Sequence, residues 1–219
     1  VEESHRAART IDDLLELSRI ELSRRLDDAV DLSAVVDEAV ARGRMAAEGR
    51  QVQVETFGAS DRLWIQADRP QLSSAIGNLV ENAVKYSDGG GLVQVSIRRN
   101  DRWVEVIVVD QGVGIPAADL DRVFERFYRV DKARARQTGG TGLGLAIVRH
   151  VANNHGGVVS VQSQEGEGST FTFRLPARLL VPAPEVDETA DLTELQPGHD
   201  RPAATAGSTP PQKVSMPDG

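Results

Sequence analysis

Apolar and small residues spaced three and four apart predict a long helix at the start of the chain. The stripe passes through Ala8, Ile11, Leu15, Ser18 and Leu22, with charged residues on the other faces up to about residue 28. A stripe this narrow is typical of the seam of a helical bundle. We therefore expect this helix to pack on partners that the sequence does not contain.

A second helical pattern follows directly. Asp31 is a residue type that caps helices, and the apolar residues after it keep helical spacing from Leu32 to Val40. Gly49 is expected to end this helix.

From about residue 50 the pattern changes to short strands that alternate with helices. Asp68 is expected to cap a helix with Pro70 in its first turn, ending at 87–91. The strand at 103–110 is apolar on both faces and is expected to be central, and the last two strands form a hairpin. The pattern predicts an α+β fold in which a mixed sheet packs on helices, with strands at 52–54, 63–67, 92–98, 103–110, 157–163 and 169–175.

Composition removes several classes of function. The 219 residues carry a net charge of −8 and contain no cysteine, which excludes disulfides, thiolate metal sites and cysteine nucleophiles together. The acidic balance and the lack of a basic run argue against nucleic acid as the main partner. No apolar run approaches the roughly 18 residues that a membrane span needs. The chain opens with Val1 in a helical pattern, so we expect a fragment of a longer protein.

Residues beyond Pro176 lose the periodicity of the preceding chain. Prolines at 182, 184, 197, 202, 210 and 211 stand among Ala, Thr, Glu and Asp. Such a segment buries too little apolar surface to offset its ordering entropy, so we expect a disordered tail over 177–219.

A glycine-rich segment is the first candidate for chemistry. Residues 139–145 read Gly-Gly-Thr-Gly-Leu-Gly-Leu, and an apolar helical pattern follows at once. Glycines leave backbone N–H groups uncovered, and a helix N-terminus attracts anions, most often phosphate. The segment lacks the Gly-Lys-Ser/Thr of a P-loop and the leading strand of a dinucleotide-binding turn. A flexible loop is the alternative interpretation.

Three polar residues on the helix after Asp68 form a second candidate. Asn78, Asn82 and Lys85 are spaced four and three apart, so they share one helix face. Two amides and an ammonium suit phosphate oxygens together with a hard cation such as Mg²⁺. The alternative is a solvated face.

Asp110 is a third candidate because it follows the apolar strand directly. A carboxylate at a buried strand end needs hydrogen-bond donors, and the amino group of adenine is suitable. Guanine presents an acceptor there and would be rejected by on the order of 10⁴-fold. Gly112 and Gly114 would let the backbone approach the ring. The alternative is that Asp110 only caps a turn.

An aromatic segment, Phe-Glu-Arg-Phe-Tyr-Arg at 124–129, is a fourth candidate. Its aromatic side chains are expected to anchor a loop to the core and to leave Arg129 able to reach phosphate. Simple core packing is the alternative.

The order of these segments resembles the N, G1, F and G2 boxes of sensor histidine kinases, and 166–171 resembles the closing hairpin of that family. The resemblance covers about residues 1–176. It implies a Bergerat-type ATP-binding fold, an α/β sandwich, over 48–176, with an ATP lid at 114–140. It further implies part of a dimerisation and phosphotransfer domain at 1–30, a connecting helix at 31–47 and a tail at 177–219.

The resemblance also gives roles to residues at the phosphate end. Asn82 would coordinate Mg²⁺, with Asn78 near the phosphates or the metal. Lys85 and Arg129 would contact phosphate, and the backbone at 142–144 would hold the phosphate tail.

At the purine end, Asp110 would accept the adenine amino hydrogen bond, assisted by Gly114, and Tyr86 would lie against the nucleotide. The catalytic residues implied are Asn78, Lys85 and Arg129, and the binding residues are Asn82, Tyr86, Asp110, Gly112, Gly114, Gly140, Thr141, Gly142, Leu143 and Gly144.

The reaction implied is transfer of the ATP γ-phosphoryl group to a histidine, for relay to the aspartate of a response regulator receiver domain. The parent would be a homodimer whose catalytic part faces the cytoplasm and which membrane segments outside this sequence could anchor. The family's acceptor histidine lies in an H box, and residues 4–10 imitate that box poorly around His5. We therefore expect ATP binding without self-phosphorylation.

Three other functions compete. Related ATPases hydrolyse ATP with a glutamate four residues before the metal-binding asparagine, where this chain has Asn78, and Glu81 points about 100° away on the helix. An anti-sigma-type serine kinase would not need the bundle-like first helix. A binding module that holds nucleotide without transfer would not need the complete set of boxes.

Overall fold

The helices and strands follow one another in the order that the sequence pattern predicts, with one additional strand. The computed structural model describes residues 2–22, 26, 28–58, 62–87, 89–130 and 140–184. The helices are α1 (Glu2–Leu22), α2 (Leu32–Ala47), α3 (Arg69–Tyr86) and α4 (Gly144–Asn154). The strands are β1 (Asp28–Asp31), β2 (Gln53–Phe57), β3 (Trp64–Ala67), β4 (Leu92–Arg99), β5 (Trp103–Asp110), β6 (Val158–Gln164) and β7 (Gly168–Pro176).

The main sheet is mixed and has the strand order β2-β4-β5-β7-β6. β2 pairs with β4 in parallel, and the remaining pairs are antiparallel. β5 is the middle strand, which confirms the prediction from its apolar sequence. Only alternate residues of β5 are fully buried, including Val104, Val106 and Val108, so one face carries the core and the other is half-buried.

The helices that cover this core begin where capping residues occur. The Asp68 carboxylate accepts the Gln71 N–H at 3.0 Å at the start of α3, and Pro70 occupies the first turn, as predicted. The Asp31 carboxylate accepts the Ala34 N–H at 3.2 Å at the start of α2. α2 ends at Ala47 and continues into a 3-10 turn through Gly49, close to its predicted end. The predicted α+β fold is confirmed.

The segment before α2 corrects the prediction. α1 ends at Leu22 instead of near residue 28, and β1 pairs antiparallel with β3, with Val30 opposite Ile65. β1 and β3 form a separate two-stranded sheet. With two apolar residues in four, β1 is too short to show a strand period, and its pairing is long-range.

The end of β7 also corrects the prediction. After a 3-10 turn at Ala177–Leu179, Leu180 bridges Ile65 of β3, and the Val181 N–H binds the Trp64 carbonyl at 2.9 Å. The first residues of the predicted tail therefore pair with β3, and the tail does not begin at 177. Residues 185–219 lie outside the described part of the chain.

The apolar residues of α1 divide between two environments. Leu17 and Ile20 are buried, and the Asn154 side-chain amide of α4 donates to the Ile20 carbonyl at 3.0 Å. Ile11, Leu14 and Leu15 remain 57%, 42% and 53% exposed. The bundle partner expected for this stripe stays a prediction. None of the helices in the described residues combines the length and the apolar character that crossing a membrane requires.

A buried histidine joins the ends of α3 and α4. The ring of His155 is 1% exposed, its Nδ1 lies 2.8 Å from the Val151 carbonyl, and its Nε2 accepts the Asp68 N–H at 3.2 Å. These contacts suit a neutral ring. Burial lowers the pKa of His155, while the Val151 carbonyl and the Asp68 carboxylate act in the opposite direction.

We expect His155 to make folding stability pH-dependent. Because its folded-state pKa lies below the usual 6.5, the unfolded chain binds the proton more tightly, and stability is lost as pH falls below 6.5. Lowering the pH from 7.5 to 5.5 should cost wild type about 1 kcal/mol more than it costs His155→Asn. Urea unfolding at both pH values measures this. Equal losses in His155→Asn and wild type would contradict this expectation.

Candidate nucleotide site

Asp110 is a buried carboxylate at the end of the central strand. It is 5% exposed, and its Oδ1 accepts the Gly112 N–H at 2.9 Å and the Ser169 N–H at 3.2 Å. The pairing of β5 with β7 places Ser169 directly opposite. Burial raises the pKa of Asp110, and these bonds together with the Ser169 hydroxyl lower it. The carboxylate is thus a fixed acceptor with capacity for a further donor.

The loop after Asp110 lies against the end of α3. The Val113 N–H binds the Tyr86 carbonyl at 3.2 Å, and Ser87 forms a β-bridge with Gly112. A Cβ at Gly112 would overlap the Tyr86 carbonyl oxygen. The glycine is therefore needed for packing against α3, a reason the sequence did not indicate.

The hairpin between β6 and β7 covers the other side of the same loop. Gly114 has φ +66°, and a Cβ there would overlap the Gln164 carbonyl oxygen. The Gly166 N–H binds the Val113 carbonyl at 2.8 Å, and the Ile115 N–H binds the Ser163 hydroxyl at 2.8 Å. The loop is held from both sides although it contains two glycines.

The polar face of α3 lies against the glycine-rich segment. A Cβ at Gly144 would come within 2.6 Å of the Asn78 Oδ1, and one at Gly140 would overlap the Lys85 Nζ. Asn78, Asn82 and Lys85 are half-buried on this face. Two of the predicted site segments, distant in sequence, therefore meet.

The first turn of α4 is available to an anion. Leu143 is the N-cap residue, and no side chain in the described part of the chain caps this turn. The Leu143 N–H binds the Thr141 hydroxyl at 3.3 Å, and that hydroxyl donates to the Asp13 carboxylate of α1. Helix N-terminal amides next to Lys85 can bind phosphate. The contact with Asp13 was not predicted.

Arg129 approaches the site from the aromatic segment. Burial raises the pKa of Tyr86, and the Arg129 guanidinium acts in the opposite direction. The Arg129 Nη2 would lie 4.0 Å from a Cβ at Gly140. The Lys85 Nζ lies 5.2 Å from the centre of the Tyr86 ring. Two cations therefore stand beside Gly140, where the sequence placed phosphate.

The aromatic side chains of this segment divide in their packing. Phe124 is buried edge-on against Phe171, with ring centres 6.4 Å apart, which agrees with the expected anchor. Phe127 is 57% exposed and is held through its N–H to the Gly142 carbonyl at 2.9 Å, so its ring is not an anchor. The Tyr128 hydroxyl donates to Asp119. Residues 131–139 of the predicted lid lie outside the described residues.

Residues 67–179 match the family described as histidine kinase-, DNA gyrase B- and HSP90-like ATPases. The structure is similar to a mycobacterial sensor histidine kinase, MprB, with 32% identity and a TM-score of 0.59 over 68% of this chain and 97% of that one. The chain belongs to this ATPase family. The matched region is an ATP-binding catalytic domain of the kind found in sensor histidine kinases.

Curated relatives match a longer stretch of the chain than the family model, which covers residues 67–179. The chain is 50% identical over 178 residues to the sensor-like histidine kinase SenX3 of Mycolicibacterium smegmatis, covering 80% of this chain and 46% of the relative. It is 38% identical to the sensor histidine kinase WalK of Bacillus subtilis, over 80% of this chain and 29% of WalK. The full-length ShkA complex with AMPPNP has 27% identity and a TM-score of 0.68 over 83% of this chain and 37% of ShkA. The chain thus spans less than half the length of these curated relatives.

Three residues that contact the ATPase site were not predicted from the sequence. Ser163 and Ser169 contact the Asp110 loop and Asp110 itself, and Asp13 contacts Thr141. The strand register, in which Ser169 faces both Asp110 and Ser163, is the signal that could have identified the two serines. No comparable signal exists for Asp13, because its contact spans 128 residues of sequence.

Replacing Gly114 by Ala should destabilise the domain by at least about 2 kcal/mol, because a Cβ would combine a left-handed backbone with overlap on Gln164. The matched control is Gly49→Ala, since a Cβ there has no neighbour within 4 Å. Urea unfolding measures both. Equal stability of the two variants would contradict the packing described for this loop.

Proposed function

We propose that this chain binds Mg·ATP and forms the catalytic part of a two-component sensor histidine kinase. The observation that carries the proposal is the buried Asp110 carboxylate, held by Gly112 and Ser169, at one end of a site whose other end is the α3 face and the uncapped start of α4. Relatives named sensor histidine kinases and the structural similarity to MprB support it.

At the purine end, the adenine amino group would donate to Asp110. The carboxylate is charged, buried and already aligned by backbone donors, so an adenine bond gains from charge assistance. The Gly114 loop and the exposed Tyr86 would border the purine and ribose. Guanine would place an acceptor against the carboxylate and be rejected.

At the phosphate end, the chain supplies positive charges and hydrogen-bond donors for phosphate. Lys85 and Arg129 beside Gly140 would neutralise phosphate charge, and the amides of Gly142 and Gly144 would donate to phosphate oxygens, joined by the Leu143 amide when phosphate replaces the Thr141 hydroxyl as its acceptor. Thr141 orders this segment through its bond to the Leu143 N–H.

The metal fits the same face of α3. Asn82 is half-buried on the side shared with Lys85, and its amide oxygen is a hard ligand of the kind that Mg²⁺ takes together with ATP phosphates. Asn78, with its Oδ1 beside Gly144, would position the phosphates. When bound, Mg²⁺ supplies charge neutralisation at the transferring phosphoryl group.

In the proposed reaction a histidine nitrogen attacks the γ-phosphorus in line. The bond from that phosphorus to the β–γ bridging oxygen breaks, ADP leaves with the electron pair, and the proton on the other ring nitrogen of the histidine is lost to solvent. Lys85, Arg129 and the glycine amides hold the phosphates during transfer. Losing one such contact should cost about 2–4 kcal/mol in the transition state.

The acceptor histidine would come from an H box that this sequence lacks. His155 would not be the acceptor, because it is buried and both of its ring nitrogens contact backbone atoms. The phosphoryl group would pass to a response regulator receiver domain. The parent would be a homodimer through its bundle helices, with this part in the cytoplasm. Its segments would be 1–30 for phosphotransfer, 31–47 as connector and 48–184 for catalysis, since Leu180 and Val181 pair with β3, and the tail would follow residue 184.

Asp110→Asn should weaken binding of Mg·ADP by about 100-fold, because it replaces a charged acceptor by an amide that also presents a donor to the adenine amino group. Titration calorimetry measures the affinity. Asp101→Asn, in the exposed β4–β5 turn, is the matched control and should bind as wild type does. Unchanged affinity in Asp110→Asn would defeat the assignment of the purine end.

Transfer itself is tested by supplying an H-box helical hairpin from SenX3 in trans with γ-labelled ATP. We expect an acid-labile label on the hairpin, lost in Asn82→Ala and retained in Glu81→Gln, which changes an exposed neighbour on α3. Rapid phosphate release that Glu81→Gln abolishes would indicate a hydrolase instead. Tight ATP binding without any label would indicate a binding module.

A further inference from the structure

We infer that Ser163 is a specificity-determining positioning residue for adenine, acting on Asp110 through Ser169 and the loop at Ile115 without touching the nucleotide. The inference rests on the proposed purine site. It adds a residue on a different strand whose contribution is selective for the 6-amino group.

Ser163, Ser169 and Asp110 form one row across three adjacent strands. The register places Ser163 of β6 opposite Ser169 of β7, and Ser169 opposite Asp110 of β5. Residues directly opposite in antiparallel pairs share a sheet face and lie within side-chain reach. The Ser163 and Ser169 hydroxyl oxygens are 3.1 Å apart, and the Ser169 N–H and hydroxyl both bind Asp110.

The Ser163 hydroxyl also connects two loops that border the purine site. It accepts the Ile115 N–H at 2.8 Å and donates to the Gly168 carbonyl at 2.6 Å. Ile115 follows Gly114, and Gly168 is packed so closely that a Cβ there would overlap the Asp110 carbonyl oxygen. One hydroxyl therefore fixes the loop after Asp110 relative to the start of β7.

Counting protons shows how Ser163 affects the carboxylate. A hydroxyl has a single proton, and that of Ser163 is used at the Gly168 carbonyl. The Ser169 proton then has two acceptors, the Ser163 oxygen and the Asp110 carboxylate, and the charged group is the stronger one. With the Ser169 proton at Asp110, no proton lies between the two hydroxyl oxygens, so Ser163 positions Ser169 through the Gly168 carbonyl directly before it and fixes the loop after Asp110 through the Ile115 N–H. Asp110 keeps the orientation in which it can accept from adenine.

The phosphate end of the site is built on other elements than this row: Lys85 belongs to α3, Gly144 begins α4, and the Thr141 hydroxyl binds Asp13 of α1. Removing the Ser163 hydroxyl should therefore loosen recognition of the 6-amino group and leave phosphate binding intact. A general loss of folding would weaken both ends together.

The test compares Mg·ADP with the Mg complex of purine riboside diphosphate, which lacks the 6-amino group, by titration calorimetry. In Ser163→Ala, ADP affinity should fall about 10-fold and purine riboside diphosphate affinity less than about 2-fold, so discrimination falls. Ser160→Ala is the matched control. It removes a hydroxyl from the same strand that accepts from Arg174 at 3.1 Å, and it should keep wild-type discrimination.

A second pair of variants separates position from packing. Ser163→Thr retains the hydroxyl and should keep wild-type discrimination. Ser163→Val has nearly the shape of the Thr variant but no hydroxyl, and it should behave as Ser163→Ala does. The inference is overturned if Ser163→Ala keeps the wild-type ratio, if Ser160→Ala loses it equally, or if the Thr and Val variants do not differ. Failure of both Ala and Val variants to fold while Ser160→Ala folds would also overturn it. Absence of ADP binding in wild type would instead reject the proposed function.

Discussion

Burial of one charged carboxylate is the constraint on which the rest of the site depends. Asp110 ends the central strand at 5% exposure, and a carboxylate there is tolerable only with donors around it. The donors come from the loop at Gly112 and from Ser169 on the neighbouring strand. Close backbone packing, which glycines permit, brings both donors to the carboxylate. The loop and the hairpin therefore need their glycines if Asp110 is to be hydrogen-bonded.

The second half of the site arises where two helices meet. The polar face of α3 carries Asn78 and Lys85, and the glycine-rich start of α4 lies directly against them. α3 and α4 are further joined at their other ends by His155, whose neutral ring accepts from Asp68. The sheet fixes the purine end, and this helix pair fixes the phosphate end. The site thus needs the whole α+β core rather than any single motif.

Much of the fold and of the site followed from sequence because local signals coincide with tertiary ones. Capping residues such as Asp68 mark helix starts, and the apolar run of β5 marks the sheet centre. The pairing of β1 with β3 could not be predicted, because a four-residue strand carries no readable period. Side-chain bonds between distant segments, such as Thr141 to Asp13, depend on packing that no local pattern records. The row of Ser163, Ser169 and Asp110 needed the strand register, which only the folded sheet supplies.

One pocket must orient the whole nucleotide, with the purine at the carboxylate and the phosphates at the glycine-rich segment. A crystal structure of the protein with ADP and Mg²⁺ tests this most directly. We expect the adenine 6-amino nitrogen to lie about 2.7–3.2 Å from an Asp110 carboxylate oxygen, with the phosphates at Gly140–Gly144. An adenine ring bound elsewhere, or phosphates remote from α4, would contradict it.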